Sequence, residues 1–293
     1  MHSYLRAIGF GNLKKESEVD KLMKEVFRDY TEKNSVKKDK TSAFVEYSRD
    51  FGNDMGITIC GEMDEEGFHQ EYYFPYFRGS GITTRENLVI EKQGSRESFA
   101  GVCEDARVGV SLIFYLQNAA RYKKESILQQ LFQQNISTTF SGLSIQGKIL
   151  LPICKSEEQL ISDREASVKR NQMIAKARMG DEEAIESLTL DDIDLYSMIS
   201  QRIQEEDVFS IVDTFFMPYG MECDQYQILG IINSVSKVVN PYTREIIYQM
   251  NLECNEMTFD ICINQKDLLG EPEAGRRFKG VIWLQGYINF PED

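Results

Sequence analysis

The strongest constraint on the fold is a two-residue alternation of side-chain types in the C-terminal part of the chain. In the segment REIIYQMNLECN, one series of alternate positions is Ile246, Tyr248, Met250, Leu252 and Cys254. The other series carries mainly amides and a carboxylate. TFDICIN and VIWLQGYINF repeat the pattern further along. Alternation of this length is typical of strands with one buried and one wet face, and it predicts an antiparallel sheet.

The N-terminal half predicts a second unit of the same kind. Apolar residues at helical spacing indicate a helix over 17–30, and TEKNSVKKDKTS (31–42) breaks that pattern, so we expect an exposed loop there. A second helix is expected over 118–134, followed by one or two strands within 140–153. Strands are predicted at SAFVEYSRDF, MGITICGEM, HQEYYFPYF, ENLVIEKQ, near Phe99 and at VGVSLIFYLQ.

The middle of the chain, from 156 to 207, is polar and helical in pattern. Gly180 is placed to end one helix, and acidic residues follow it, as the first turn of the next helix favours. We therefore predict an α+β fold with two mainly antiparallel β units, each with an amphipathic helix. The predicted domains are 1–154 and 191–293, joined by a helical connector over 155–190.

Short segments of the two halves recur in the same order. FVEYSRDFG (44–52) is similar to SIVDTFFMPYG (210–220), and LIFYLQN (112–118) shares an aromatic-Leu-Gln core with GVIWLQG (280–286). A helix is expected before FVEYSRDFG, over 17–30, and another before SIVDTFFMPYG, over 191–206. These similarities lead to the hypothesis of an internal duplication.

Composition and charge narrow the class of protein. The 293 residues are 42% hydrophobic, enough for a core, and no stretch of 18 apolar residues is present, so we expect no membrane span and a cytoplasmic protein. The net charge of −14 opposes nucleic-acid binding. Two acidic segments, 62–71 and 181–207, account for that charge and could receive a basic partner.

Cysteine and histidine usage excludes several kinds of site. The six cysteines form no C-x-x-C pair, and in a cytoplasmic chain they are expected to be free and buried. Only His2 and His69 are available, so a His-rich zinc site is impossible. The acidic cluster around His69 could hold a cation through oxygen ligands, but a solvated hairpin tip is the simpler interpretation. We predict no metal site and no cofactor.

One segment has the glycine spacing of a phosphate-binding loop but lacks the residues that bind phosphate. GEPEAGRR (270–277) has the glycine spacing, but Arg276 and Arg277 replace the Lys and Ser/Thr, and a strand rather than a helix is expected next.

The segments MPYGMECDQYQILG and DLLGEPEAGRRFKGVIWLQGYINF, with the opening MHSYLRAIGF, resemble an uncharacterised family of bacterial cytosolic proteins of about this length. The resemblance implies an intracellular bacterial protein of unknown function and transfers no site.

Two functional hypotheses follow. The first is a non-enzymatic binding or scaffolding protein, whose partner is an unknown protein or a small anionic ligand. The basic cluster of Arg276, Arg277 and Lys279 is the candidate binding site, because Arg binds carboxylates and phosphates in a bidentate manner. Pairing of these cations with Glu271 or Glu273 is the structural alternative.

The second hypothesis is a hydrolase or transferase that uses paired carboxylates between the two halves. Buried pairs of Asp and Glu perform acid–base chemistry when their pKa values are split. The candidates are Glu222, Asp224, Asp260 and Asp267. No two of them can be paired from the sequence, so no catalytic residue is assigned.

Overall fold

A computed structural model describes residues 2–94, 96–105, 107–127, 136–153, 157–191, 208–221 and 224–291. The described strands form a four-stranded and a ten-stranded sheet. The strands are β1 (Glu32–Lys37), β2 (Ala43–Asp50), β3 (Met55–Asp64), β4 (Gly67–Phe77), β5 (Leu88–Gln93), β6 (Ser98–Glu104), β7 (Ser111–Leu116), β8 (Ser137–Leu150), β9 (Phe215–Pro218), β10 (Gln225–Val239), β11 (Ile246–Cys254), β12 (Met257–Asn264), β13 (Leu268–Leu269) and β14 (Arg277–Asn289).

Helices are few and lie mainly between strands. They are α1 (Glu16–Arg28), α2 (Ala119–Ile127), α3 (Glu157–Arg178), a stretch over 182–191, a short turn (Val208–Ile211) and two 3-10 turns (Ser3–Ile8 and Gln265–Asp267). None of the helices in the described ranges is long and apolar enough to cross a membrane.

The four-stranded sheet is an antiparallel meander in the order β1-β2-β3-β4. Helix α1 packs against β2 and β3, and its buried residues recur at the predicted helical spacing: Val19, Leu22, Met23 and Val26. The Glu18 carboxylate accepts the main-chain N–H groups of Lys14 and Lys15, which satisfies donors at the start of the helix. The predicted helix and the strands at β2, β3 and β4 are confirmed.

The expectation of an exposed loop over 31–42 is wrong, because Glu32–Lys37 forms strand β1. β1 pairs only with β2 and lies at the edge of the sheet, where Val36 is its one fully buried side chain. Charged side chains are common on edge strands because they discourage pairing with another molecule. A polar sequence can therefore form an edge strand, because a strand in that position needs little burial.

Five strands close into a barrel in the order β8-β12-β11-β10-β14, with β14 pairing back to β8. Four of these pairings are antiparallel, and only β8–β12 is parallel. Strands β7, β6 and β5 extend the sheet from the far end of β14. The α+β class and the mainly antiparallel pairing are confirmed, whereas the closed barrel was not predicted. Alternation shows which residues share a face and not which strands become neighbours.

Strand β8 precedes the helical connector in the chain but pairs with β12, β13 and β14, which follow it. The predicted division at residue 154 thus runs through a continuous sheet. The connector contains the predicted helix, α3. Most of the helix expected over 191–206 lies outside the described residues, and the internal duplication stays a prediction.

Glycines in β8 make room for neighbouring side chains in the barrel. A Cβ atom on Gly142 would lie 3.1 Å from the side chains of Ile261 and Ile282. A Cβ atom on Gly147 would lie 2.4 Å from the Phe278 ring, which is fully buried. The tight fit means that the barrel depends on the missing side chain at Gly147.

Replacing Gly147 with alanine is expected to lower the free energy of unfolding by about 1–3 kcal/mol, because the new methyl group overlaps the Phe278 ring in a packed core. Urea denaturation measures this change. The double variant G147A/F278L should lose less stability than the sum of the two single variants, since leucine removes the overlapping ring atoms. Strict additivity of the two losses would contradict the proposed overlap.

Candidate functional site

The face of the four-stranded sheet that points away from α1 carries buried polar side chains. Glu46 and Ser48 on β2 and Thr58 on β3 are all buried. The strand register places Asn34 opposite Glu46 and Ser48 opposite Thr58, and the two hydroxyl oxygens of the second pair lie 2.8 Å apart. Buried polar groups cost free energy unless they are partnered, so a polar row in this position needs a structural or functional reason.

A small cavity separates this polar row from the start of helix α2. Its opposite wall is formed by Gln117 and Asn118, by Arg121 in the first turn of α2 and by Tyr287 of β14. The cavity has a volume of about 70 Å³. Since one water needs roughly 10–15 Å³ of such space, the cavity has room for about five water-sized groups. The remaining lining residues are Glu32, Asn34, Glu46, Ser48, Thr58, Phe74, Tyr76 and Arg78.

An open groove of about 510 Å³ adjoins the cavity. The two spaces share Asn34 and Arg121 as lining residues, so the groove forms the outer part of one cleft. Arg121 and Lys124 supply two cations to the groove against one carboxylate, that of Glu125, whereas the Lys33 ammonium lies over the Tyr47 ring on the other face of the sheet. The mouth of the cleft is therefore positive in a chain whose net charge is −14. We call the cavity and the groove together the inter-sheet cleft.

Glu46 lies in the closed part of the inter-sheet cleft and is 3% exposed. Its Oε1 accepts the main-chain N–H of Ala120 at 3.2 Å, at the N-terminal end of α2. Burial raises the pKa of the Glu46 carboxyl to about 8, and although the N–H bonds favour the charged form, the nearby Glu32 opposes it. Glu46 is therefore mainly protonated at neutral pH.

Glu32 and Arg78 form an ion pair at the edge of the same cavity. Asn34 Nδ2 also donates to Glu32 Oε1 at 2.9 Å. Burial opposes ionisation of Glu32, but the hydrogen bonds from Arg78 and Asn34 outweigh it and hold its pKa below the ordinary value. With Glu32 and Arg78 balanced and Glu46 protonated, Arg121 leaves the lining with a net positive charge.

The basic cluster predicted from the sequence lies elsewhere, at the beginning of β14. Arg277 is buried and donates to the main-chain carbonyl oxygens of Leu151, Phe209 and Val212 at 2.8–3.0 Å. Arg276 forms an ion pair with Glu273 at 2.9 Å and donates to the carbonyl oxygen of Glu271.

Lys279, the third member of that cluster, lies with its Nζ 4.0 Å from the centre of the Phe209 ring. It lines an open groove of about 450 Å³ on the barrel, together with Lys148 and Tyr219. Two of the three cations are thus directed at the protein's own carbonyl and carboxylate oxygens. A partner-binding role for Arg276, Arg277 and Lys279 stays a prediction.

The carboxylates proposed for catalysis have separate structural partners. Asp224 accepts the Trp283 Nε1–H at 2.7 Å, Asp260 accepts both the main-chain N–H and the hydroxyl of Ser80 at 2.6 Å, and Asp267 forms an ion pair with Arg6. Glu222 lies outside the described residues. These contacts give no support to a pair of catalytic carboxylates among the three.

Neither histidine lies in the inter-sheet cleft. His69 contacts Asp64 in the β3–β4 hairpin, whose turn was predicted at this acidic segment, and His2 packs against the Trp283 ring with burial lowering its pKa to about 4. In the described part of the chain, no three His, Cys, Asp or Glu residues could hold a metal ion together. The four described cysteines, Cys60, Cys103, Cys254 and Cys262, are buried and free.

Sequence reasoning did not identify the inter-sheet cleft. Its one signal was a lone glutamate in the middle of FVEYSRDFG, where Phe44, Val45 and Tyr47 are buried on both faces of β2. The Leu-Gln pair recurs in the sequence, and the structure brings its two glutamines together, with Gln117 Nε2 donating to Gln285 Oε1 at 2.8 Å.

Comparison with known protein families assigns the chain to a family. The family model described as "Domain of unknown function, E. rectale Gene description (DUF3881)" matches residues 5–286. No curated protein and no solved structure matches the chain. The match confirms the resemblance to an uncharacterised bacterial family and supplies no ligand or residue role.

Replacing Arg277 with methionine is expected to lower the free energy of unfolding by about 2 kcal/mol or more, because three main-chain carbonyls lose a charged donor. The neighbouring variant R276M is the matched control and should cost about 0.5 kcal/mol or less, since its ion pair with Glu273 is partly open to solvent. Denaturant titration compares the two. Equal losses would contradict the structural role of Arg277.

The pH dependence of stability is expected to carry the signature of Glu46. From about pH 5 to pH 8 the folded chain holds a proton that the unfolded chain has released, so the free energy of unfolding falls as pH rises, by about 1.4 kcal/mol per pH unit for one proton. The variant E46Q lacks this proton, and its stability advantage over wild type should therefore grow with pH up to about 8. Urea denaturation at several pH values measures the difference, and parallel curves for the two proteins would contradict it.

Proposed function

Because the chain belongs to a family of unknown function, we propose a function from its own geometry: it is a non-enzymatic binding protein that holds a small anionic ligand in the inter-sheet cleft. The proposal rests on one observation: a polar cavity and an open basic groove lie next to each other and share Asn34 and Arg121. Ligand sites are typically concave, with a few convergent polar groups that fix orientation.

The charges of the cleft favour an anion over a cation. Arg121 and Lys124 carry the positive charge of the groove, and an anion that enters it approaches Arg121 at the boundary with the cavity. Attraction between opposite charges is stronger near a low-dielectric wall than in bulk water. The chain as a whole is acidic, so this local reversal of sign directs an anion to the cleft rather than to the general surface.

The size of the cleft favours a small ligand over a folded partner. The closed part admits only a few heavy atoms, and the groove adds about 510 Å³, within the range of small-molecule sites. We also propose a cytoplasmic location, supported by the four free cysteines, and no nucleic-acid or membrane partner, supported by the net charge of −14. The proposed partner is thus an anionic metabolite-sized molecule.

The proposal predicts binding of simple anions that depends on the cations at the mouth. Calorimetric titration with inorganic phosphate at constant ionic strength should show saturable binding to the wild-type chain. The double variant R121Q/K124Q should bind at least about tenfold more weakly, because it removes both cations that face the groove.

The matched control is K21Q/K24Q, which makes the same change of net charge on exposed positions of α1, across the sheet from the cleft. This variant should bind phosphate as wild type does. Equal weakening in both double variants would show a general charge effect, and absence of saturable binding to wild type would contradict the proposed site.

A further inference from the structure

We infer that Glu46 is the residue that selects the ligand at the closed end of the inter-sheet cleft, by donating its carboxyl proton to an anionic oxygen of the ligand. The inference rests on the proposed function and adds the ligand's chemical class. It identifies the buried group of the ligand as an oxyanion, such as a carboxylate or a phosphate, and excludes an amine in that position.

The main-chain hydrogen bonds of Glu46 do not use its carboxyl proton. The main-chain N–H of Ala120 donates to Oε1 at 3.2 Å. An N–H group is a donor only, so it cannot accept the proton of a carboxyl group. Glu46 lines the cavity, and an acceptor for its proton can therefore be supplied by a molecule that enters there.

Four other polar side chains at the closed end have partners within the protein. The Ser48 and Thr58 hydroxyls bond to each other at 2.8 Å. The Asn118 amide donates to the carbonyl oxygen of Ile288 and accepts its N–H, and the Gln117 amide donates to Phe77 O and Gln285 Oε1. Among these wall residues only Glu46 titrates, so its protonation state can discriminate between ligand groups.

The protonation state of Glu46 decides which ligand group it binds. Glu46 is protonated at neutral pH because burial raises its pKa to about 8. A protonated carboxyl donates to an oxyanion, whereas an ionised one attracts an amine and repels an anion. Loss of the Glu46 proton would cancel the positive charge that Arg121 gives to the lining, so anion binding should weaken as pH rises through 8.

Several other titratable or charged groups face Glu46 or share its cavity. They are Glu32 on β1, Cys60 on β3, Tyr72, Tyr76 and Arg78 on β4, Tyr115 on β7, Arg121 on α2 and Tyr287 on β14. Burial raises the pKa values of Cys60, Tyr72, Tyr76 and Tyr115, which keeps these groups neutral near pH 8. The pKa of Glu32 is lowered and that of Arg78 is raised, so both stay charged. Among the groups with shifted pKa values, Glu46 alone titrates near pH 8.

Calorimetric titration of the full chain with sulfate tests the inference, because sulfate is an oxyanion whose charge is constant between about pH 6 and pH 9. The dissociation constant of the wild-type complex should rise about tenfold from pH 6 to pH 9, as the protonated fraction of Glu46 falls to roughly one-tenth. Titrations in two buffers of different ionisation enthalpy should show uptake of about one proton per sulfate at pH 9 and almost none at pH 6.

The variant E46Q separates Glu46 from the other groups. Its amide keeps an acceptor for the Ala120 N–H and a donor for the ligand, but it does not titrate. E46Q should bind sulfate with an affinity that is constant with pH and close to that of wild type at pH 6. Acetate should behave as sulfate does, and ethylammonium should not bind either protein.

Each contrary result has a distinct meaning. Sulfate binding to wild type without pH dependence or proton uptake overturns the role of Glu46 and leaves the anion site standing. If the pH dependence persists in E46Q, the proton belongs to another group, and the role of Glu46 is again overturned. Ethylammonium binding that strengthens with pH reverses the ligand class. Absence of anion binding at every pH removes the proposed function and this inference together.

Discussion

The contact on which the arrangement of the two sheets depends is a buried pair of glutamine side chains. Gln117 follows β7 and Gln285 lies on β14, and the Gln117 amide donates to Gln285 Oε1 and to the carbonyl oxygen of Phe77. Gln285 in turn donates to Pro75 O and accepts the N–H of Phe77. These side chains replace a neighbouring strand for the main chain of β4, whose buried polar groups must be paired.

The contact between the two glutamines determines where the inter-sheet cleft can form. Gln117 and Asn118 stand at the start of α2, so the pair that holds β4 against the barrel also places the first turn of α2 opposite β2. The main-chain N–H of Ala120 then meets the Glu46 carboxyl at 3.2 Å. The polar row on the sheet is tolerated because some of its groups are paired with each other or with α2, and the space that remains between the walls is the cavity.

A positive cleft in an acidic chain gives the proposed binding function its physical basis. Specificity for an anion would come from two different sources, the exposed cations of the groove and the protonated carboxyl of Glu46 in the closed part. The first attracts any anion, and the second requires an acceptor oxygen of the right size at the right depth. By contrast, Arg277 of the predicted basic cluster donates to three main-chain carbonyls of the protein itself.

The sequence by itself determined the α+β class, helix α1 and the predicted strands, because side-chain periodicity reports local structure directly. It could not reveal β1, whose edge position needs little burial, or the barrel, whose closure depends on β8 pairing with strands more than 100 residues later. It contained Glu46 and both Leu-Gln pairs, but no local pattern indicates that a lone glutamate faces a helix start 74 positions away. Only the tertiary structure decided the site, because burial and charge at Glu46 arise from residues that the chain brings together over long distances.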